Sequence, residues 1–125
     1  MLIFMKTFTQ TIHVDSSMTA SKLGSGSLNV FATPAMVAWM ENTAILSIEN
    51  LEEGQTTVGI EINVKHLKAS KVSEEITFTS TLIRQEKRIY EFEITAHDSK
   101  SNLIGSATHK RATVEIERFM RKLDK

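Results

Sequence analysis

The sequence contains no cysteine, which excludes disulfides, thiolate zinc sites and a cysteine nucleophile together. That absence fits a reducing compartment, and a cytoplasmic location is the expectation. Net charge is missing as well, since fifteen basic and fifteen acidic residues balance to a formal +0. Without a field of one sign, neither nucleic acid nor an anionic membrane is an expected partner. Interleaved basic and aromatic residues of the RNA-binding kind are lacking. The four histidines show no metal-ligand spacing, and there is no glycine-rich phosphate loop. No metal and no resident cofactor are therefore expected.

Long apolar runs are also scarce. Met1-Leu2-Ile3-Phe4-Met5 meets Lys6 at once, too short a run for the core of a signal peptide, and no small-residue cleavage site follows. Residues 23 to 40 carry no charge, yet Gly24, Ser25, Gly26, Ser27, Asn29, Thr33 and Pro34 make the stretch too polar and broken to span a bilayer. The pattern is that of a soluble chain. What remains is ordinary globular composition, 41% hydrophobic and 24% charged over 125 residues. That length supports one domain, 1–125, with a real core.

Phe8 to Val14 reads as a first strand, and the Ser- and Gly-rich stretch Ser16 to Ser27 as a mobile connection or lid. Thr33-Pro34 is a helix start, with Thr33 as N-cap and proline at the first helical position. The following residues are apolar nearly all round in the first turns, which marks a buried helix. Glu52-Glu53-Gly54-Gln55 is its expected end. Strands follow: Val58, Ile60, Ile62 and Val64 alternate with polar residues, as do Ile76 to Leu82 and Tyr90 to Ala96. A last strand is expected over Leu103 to Arg118. One buried helix and about five antiparallel strands predict an α+β architecture, the helix lying against one face of a curved sheet. Such a sheet leaves edges and part of the helix uncovered, and a second copy would cover both.

Glu41 is the one charged residue between Lys22 and Glu49, inside a helix that reads as buried. A carboxylate there is costly unless bonded, paired or functional. His66 continues the face of Ile60, Ile62 and Val64, either as an acid–base group or as a satisfied core residue. Thr33 needs only its capping role, yet a helix N-terminus also stabilises an oxyanion. Gly59 permits close approach of a ligand to the backbone or marks a bulge. Arg111, in Thr-His-Lys-Arg-Ala, reads from pattern alone as a solvated strand residue.

These same segments resemble the fluoroacetyl-CoA thioesterase family. The resemblance lies in Val30-Phe31-Ala32-Thr33, Met36-Val37, Met40-Glu41, Leu51-Glu52, Gly54, Gly59, Val64-Lys65-His66, Ala96-His97-Asp98, Ile104-Gly105 and Thr108-His109-Lys110-Arg111-Ala112, in order and at near-constant spacing. It implies a hot-dog fold and hydrolysis of a small acyl-CoA by a homodimer or tetramer, with coenzyme A present only as part of the substrate. The catalytic set it implies is Thr33, Glu41 and His66, and the substrate contacts are Gly59 and Arg111. Aromatic lid residues of the fluoroacetyl-specific enzyme are replaced here by Gly24-Ser25-Gly26-Ser27-Leu28, which points to a general or different short acyl group. The alternatives are a non-catalytic acyl-CoA-binding protein and an enoyl-CoA hydratase, though the hydratase's aspartate–histidine pair is not evident.

Overall fold

The computed structural model describes residues 6–124, so the apolar start Met1–Met5 lies outside the described residues. The chain runs β1 (Lys6–His13), α1 (Ala20–Leu23), α2 (Thr33–Leu46), β2 (Gln55–His66), β3 (Glu75–Glu86), β4 (Ile89–Asp98), β5 (Leu103–Glu115) and α3 (Ile116–Leu123). The five strands form one antiparallel sheet in the order β1-β3-β4-β5-β2. Helix α2 therefore carries the chain from one edge of the sheet to the other. It packs across the inner face, touching β1, β2, β3 and β4.

Alternation on β3 and β4 sets which side chains meet the helix. Ile76 and Phe78 on β3, with Phe92, Ile94 and Ala96 on β4, close the core against Phe31, Met36, Met40 and Ala44. Burial of the Ile, Phe and Met side chains among these contributes about 1.5–3 kcal/mol each. Gly105 on β5 lets the helix approach, because a Cβ there would lie 2.6 Å from Met36 Sδ. On the outer face, Thr7, Thr9 and Thr11 of β1 bond Thr81, Thr79 and Thr77 of β3, each pair 3.0–3.3 Å apart.

Several expectations need correction. The Ser16–Ser27 stretch is folded rather than loose. It forms a 3-10 turn and α1, capped by Asp15 on the Ser17 amide and by Thr19 on the Lys22 amide. Gly24, at φ 75°, closes α1 by donating to the Ala20 carbonyl, a left-handed position that suits glycine. Helix α2 ends at Leu46, earlier than expected, where the Ser47 hydroxyl satisfies the Ala44 carbonyl. The last strand ends at Glu115, because alternation gives way to Ile116, Phe119, Met120 and Leu123 at helical spacing in α3.

The strict alternation expected for β2 also fails. Its register with β5 passes from Gly59↔Arg111 to Glu61↔Lys110, leaving Ile60 as an extra residue. Ile60 is 53% exposed. The bulge reverses parity, so Thr57 is buried before it, while Ile62, Val64 and His66 are partly buried after it. One strand thereby turns both Gly59 and His66 toward the helix.

Candidate active site

The first group sits where α2 begins. Ala32 is the N-cap and makes no side-chain cap bond, so Thr33 is the first helical residue and not the cap. Its hydroxyl has another partner, His66 Nδ1, at 2.8 Å. The His66 ring, at the end of β2, meets Phe31 edge-on with centroids 6.5 Å apart. Desolvation lowers the His66 pKa from its ordinary value, with the Lys68 backbone pulling the other way. A neutral imidazole next to a hydroxyl can accept its proton. His66 Nε2 is buried and has no protein partner among the described residues. The first intrahelical amide bond is Met36 N to Ala32 O. Proline carries no N–H, so the Thr33 and Ala35 amides are the orphan donors beside the hydroxyl.

The second group lies further along α2. Glu41 Oε2 accepts from Arg111 Nη1 at 3.1 Å. Arg111 is 5% exposed, so the expectation of a solvated strand arginine is overturned. Its Nε donates to Thr57 Oγ1 at 2.9 Å and its Nη2 to the Thr57 carbonyl at 3.1 Å. Nη1 also reaches His109 Nε2 at 3.1 Å. Burial lowers the guanidinium pKa from its ordinary value, and the charge and hydrogen bond of Glu41 oppose that shift. Gly59 completes the group, since a Cβ there would fall 2.5 Å from Glu41 Oε2 and 3.3 Å from Arg111 Nη1. Any side chain at 59 would displace the carboxylate.

The structure thus joins Thr33 with His66, and Glu41 with Gly59 and Arg111. No hydrogen bond or ion pair among the described residues connects the two groups within one chain. Thr33 and Glu41 are eight residues apart on one helix, about 12 Å along its axis. Sequence reasoning missed His109 and Thr57. His109 is 2% exposed, its Nε2 lies 3.8 Å from Glu41 Oε2, and its ring is tilted against Phe92. The available signal was its place two residues before Arg111, on the same face of β5.

A curved antiparallel sheet wrapped around one long helix is the fold of the hot-dog thioesterases. Residues 14–117 match the family model of FlK, fluoroacetyl-CoA-specific thioesterase, and the chain belongs to that family. The fluoroacetyl-CoA thioesterase of Streptantibioticus cattleyicolor is 36% identical over 95 residues, covering 75% of this chain and 68% of that protein. A solved structure of the fluoroacetyl-CoA thioesterase FlK matches with a TM-score of 0.91 at 30% identity, covering 98% of this chain and 96% of that one. A thioesterase superfamily member from Thermus thermophilus matches the fold at a TM-score of 0.86 and 22% identity, over 94% of this chain and 90% of its own.

Burial pushes the His109 pKa below its ordinary value, and Arg111 adds to that effect against the Glu61 backbone and Glu41. An unfolded histidine titrates near ~6.5, so below that pH the unfolded chain binds the additional proton. Stability from this group is therefore whole above pH ~6.5 and is lost as pH falls toward the folded pKa, at up to about 1.4 kcal/mol per pH unit. His66 acts in the same direction. Melting temperature is expected to decline between about pH 6.5 and 5, less steeply in His109→Gln. A melting temperature that rises over this interval would contradict the assigned neutral histidines.

Proposed function

We propose that the chain hydrolyses a short acyl-CoA to a carboxylic acid and free CoA, with Thr33, Glu41 and His66 as the catalytic set and Gly59 and Arg111 on the substrate. Membership of a thioesterase family supports the reaction class. The observation that carries the catalytic reading is the 2.8 Å bond between Thr33 Oγ1 and His66 Nδ1. A hydroxyl bound to a neutral imidazole beside free helix amides holds an oxygen, a proton acceptor and an oxyanion site together.

In the reaction, oxygen attacks the thioester carbonyl and its proton passes to a base. The C–S bond breaks and the CoA thiolate takes up a proton. When Thr33 supplies that oxygen, His66 accepts its proton and the helix amides stabilise the oxyanion. Water then hydrolyses the acyl-threonine ester to release the acid and restore the hydroxyl. Glu41 serves the attacking water, its Oε1 having no hydrogen bond among the described residues while Oε2 is held by Arg111. A phenylalanine-to-alanine mutant of FlK has been solved with fluoroacetate and CoA, at a TM-score of 0.87 and 30% identity to this chain. Gly24–Leu28 offers no aromatic side chain to cover the acyl group, which favours a general short acyl over fluoroacetyl.

Separation of the two groups within one chain supports a homodimeric unit in which two copies complete the site. β2 is an edge strand of 12 residues carrying the exposed Ile60, and Ile45 and Leu46 of α2 are also uncovered. Pairing through these surfaces removes an exposed edge. Light scattering at micromolar concentration is expected to give the dimer mass. A monomer active at full rate would refute the shared site.

Thr33→Ala separates catalysis from capping, because Thr33 makes no cap bond. Activity should fall steeply while melting temperature changes little. Glu41→Gln should lower turnover by roughly 100-fold or more, the usual scale for a general base. It should also lower stability, since the buried Arg111 loses its counter-charge. Full activity per folded molecule in either variant would remove that residue from the catalytic set.

A further inference from the structure

We propose that His109 is a positioning residue: as a neutral imidazole protonated on Nδ1, it holds the Arg111 guanidinium and, through it, the Glu41 carboxylate. The proposal rests on the reading of Glu41 as part of the hydrolytic site. It goes beyond that reading by giving a role to a side chain outside the catalytic set.

Hydrogen-bond chemistry determines the tautomer. His109 Nδ1 lies 2.8 Å from the Glu61 carbonyl oxygen. A carbonyl can only accept, so Nδ1 carries the hydrogen. On the other side, Arg111 Nη1 stands 3.1 Å from Nε2. A guanidinium can only donate, so Nε2 must offer a lone pair. The two contacts together admit the neutral, Nδ1-protonated ring alone.

The hydrogen bonds form one directed series. The His109 Nδ1–H donates to the Glu61 carbonyl, one Nη1–H of Arg111 donates to His109 Nε2, and the other donates to Glu41 Oε2. Thr57 holds the opposite side of the guanidinium through its hydroxyl and carbonyl. Four of the five N–H groups of Arg111 are thus engaged. Without the His109 acceptor, Nη1 keeps only the part-exposed Glu41 as a partner.

Every element packed on the ring contributes to this state. Across the sheet, the β2 bulge lies between Gly59 and Glu61, next to the carbonyl that receives Nδ1–H. From α2, Glu41 is the one charged group facing the ring, with its Oε2 3.8 Å from Nε2. From β4, Phe92 covers the ring with centroids 6.0 Å apart. Arg111 is the facing cation on β5 itself. A histidine serving only to fill space would be indifferent to tautomer, and its replacement by an apolar ring would leave Arg111 and Glu41 undisturbed.

The test compares His109→Phe, which keeps a ring but offers no acceptor, with His109→Gln, whose amide oxygen can accept from Arg111. Two readouts are taken on the full chain: kcat and KM for thiol release from acetyl-CoA, and 15N NMR of the His109 ring and the Arg111 Nη1–H group that it accepts from. The wild type should show Nδ1 protonated and Nε2 bare at neutral pH, with slow exchange of the Arg111 Nη1–H bonded to Nε2. The Phe variant should lose that protection and drop kcat by about 10- to 100-fold, the scale of a misplaced catalytic group, with KM moving less. The Gln variant should recover most of both. A charged or Nε2-protonated His109 in the wild type overturns the proposal whether or not either variant folds. So does a Phe variant with wild-type kcat and Arg111 protection, or a Gln variant no better than Phe. If the wild type releases no thiol from any acyl-CoA, the hydrolase reading fails separately. The NMR comparison still decides whether His109 holds Arg111.

Discussion

A guanidinium sealed between a helix and a sheet requires a counter-charge, and the Arg111–Glu41 pair meets that requirement here. The Arg111 side chain is 6% exposed and that of Glu41 36%, so one partner is buried and the other reaches toward solvent. Breaking a fully buried pair costs about 3–5 kcal/mol, and partial exposure of Glu41 reduces that figure. The pair dictates its surroundings. Gly59 must lack a side chain to admit the carboxylate, Thr57 must turn inward to satisfy the guanidinium, and the β2 bulge reconciles both with the partly buried residues that follow. A carboxylate inside α2 is thus tolerated because a cation was brought to it across the sheet.

The same bulge connects this group to the other. Were β2 regular, Gly59 and His66 would lie on opposite faces, since side chains alternate strictly along a strand. With one extra residue at Ile60, both turn toward α2. Thr33 then finds His66 at the helix start while Glu41 finds Gly59 further along. One irregularity in backbone register thereby sets both halves of the candidate site on the same helix.

Much of this architecture could be read in the sequence because burial follows simple periods. Ile76 and Phe78, and Tyr90 through Ala96, alternate cleanly and face the core as their spacing predicts. The Thr33-Pro34 helix start was legible to within one residue. Its chemistry was less so, because capping explained Thr33 fully until the hydroxyl was found on His66. The bulge was not legible, since Val58, Ile60, Ile62 and Val64 imitate a regular strand and only Gly59 hinted otherwise. Arg111 and His109 were hidden for a related reason. A basic residue in a strand is solvated unless its partner comes from a distant element, and Glu41 is 70 residues away from Arg111. The helical spacing that begins at Ile116 also follows directly on a strand, with no glycine or proline to mark the change.

Hydrolysis of an acyl-CoA is the central claim, and thiol release tests it most directly. Purified protein is incubated with a panel of short, branched and aromatic acyl-CoAs at neutral pH, and free CoA is measured against the uncatalysed rate. The account predicts saturable release of CoA from at least one short acyl-CoA, with stoichiometric acid. Saturable binding of these thioesters with no CoA released above background from any of them would contradict it.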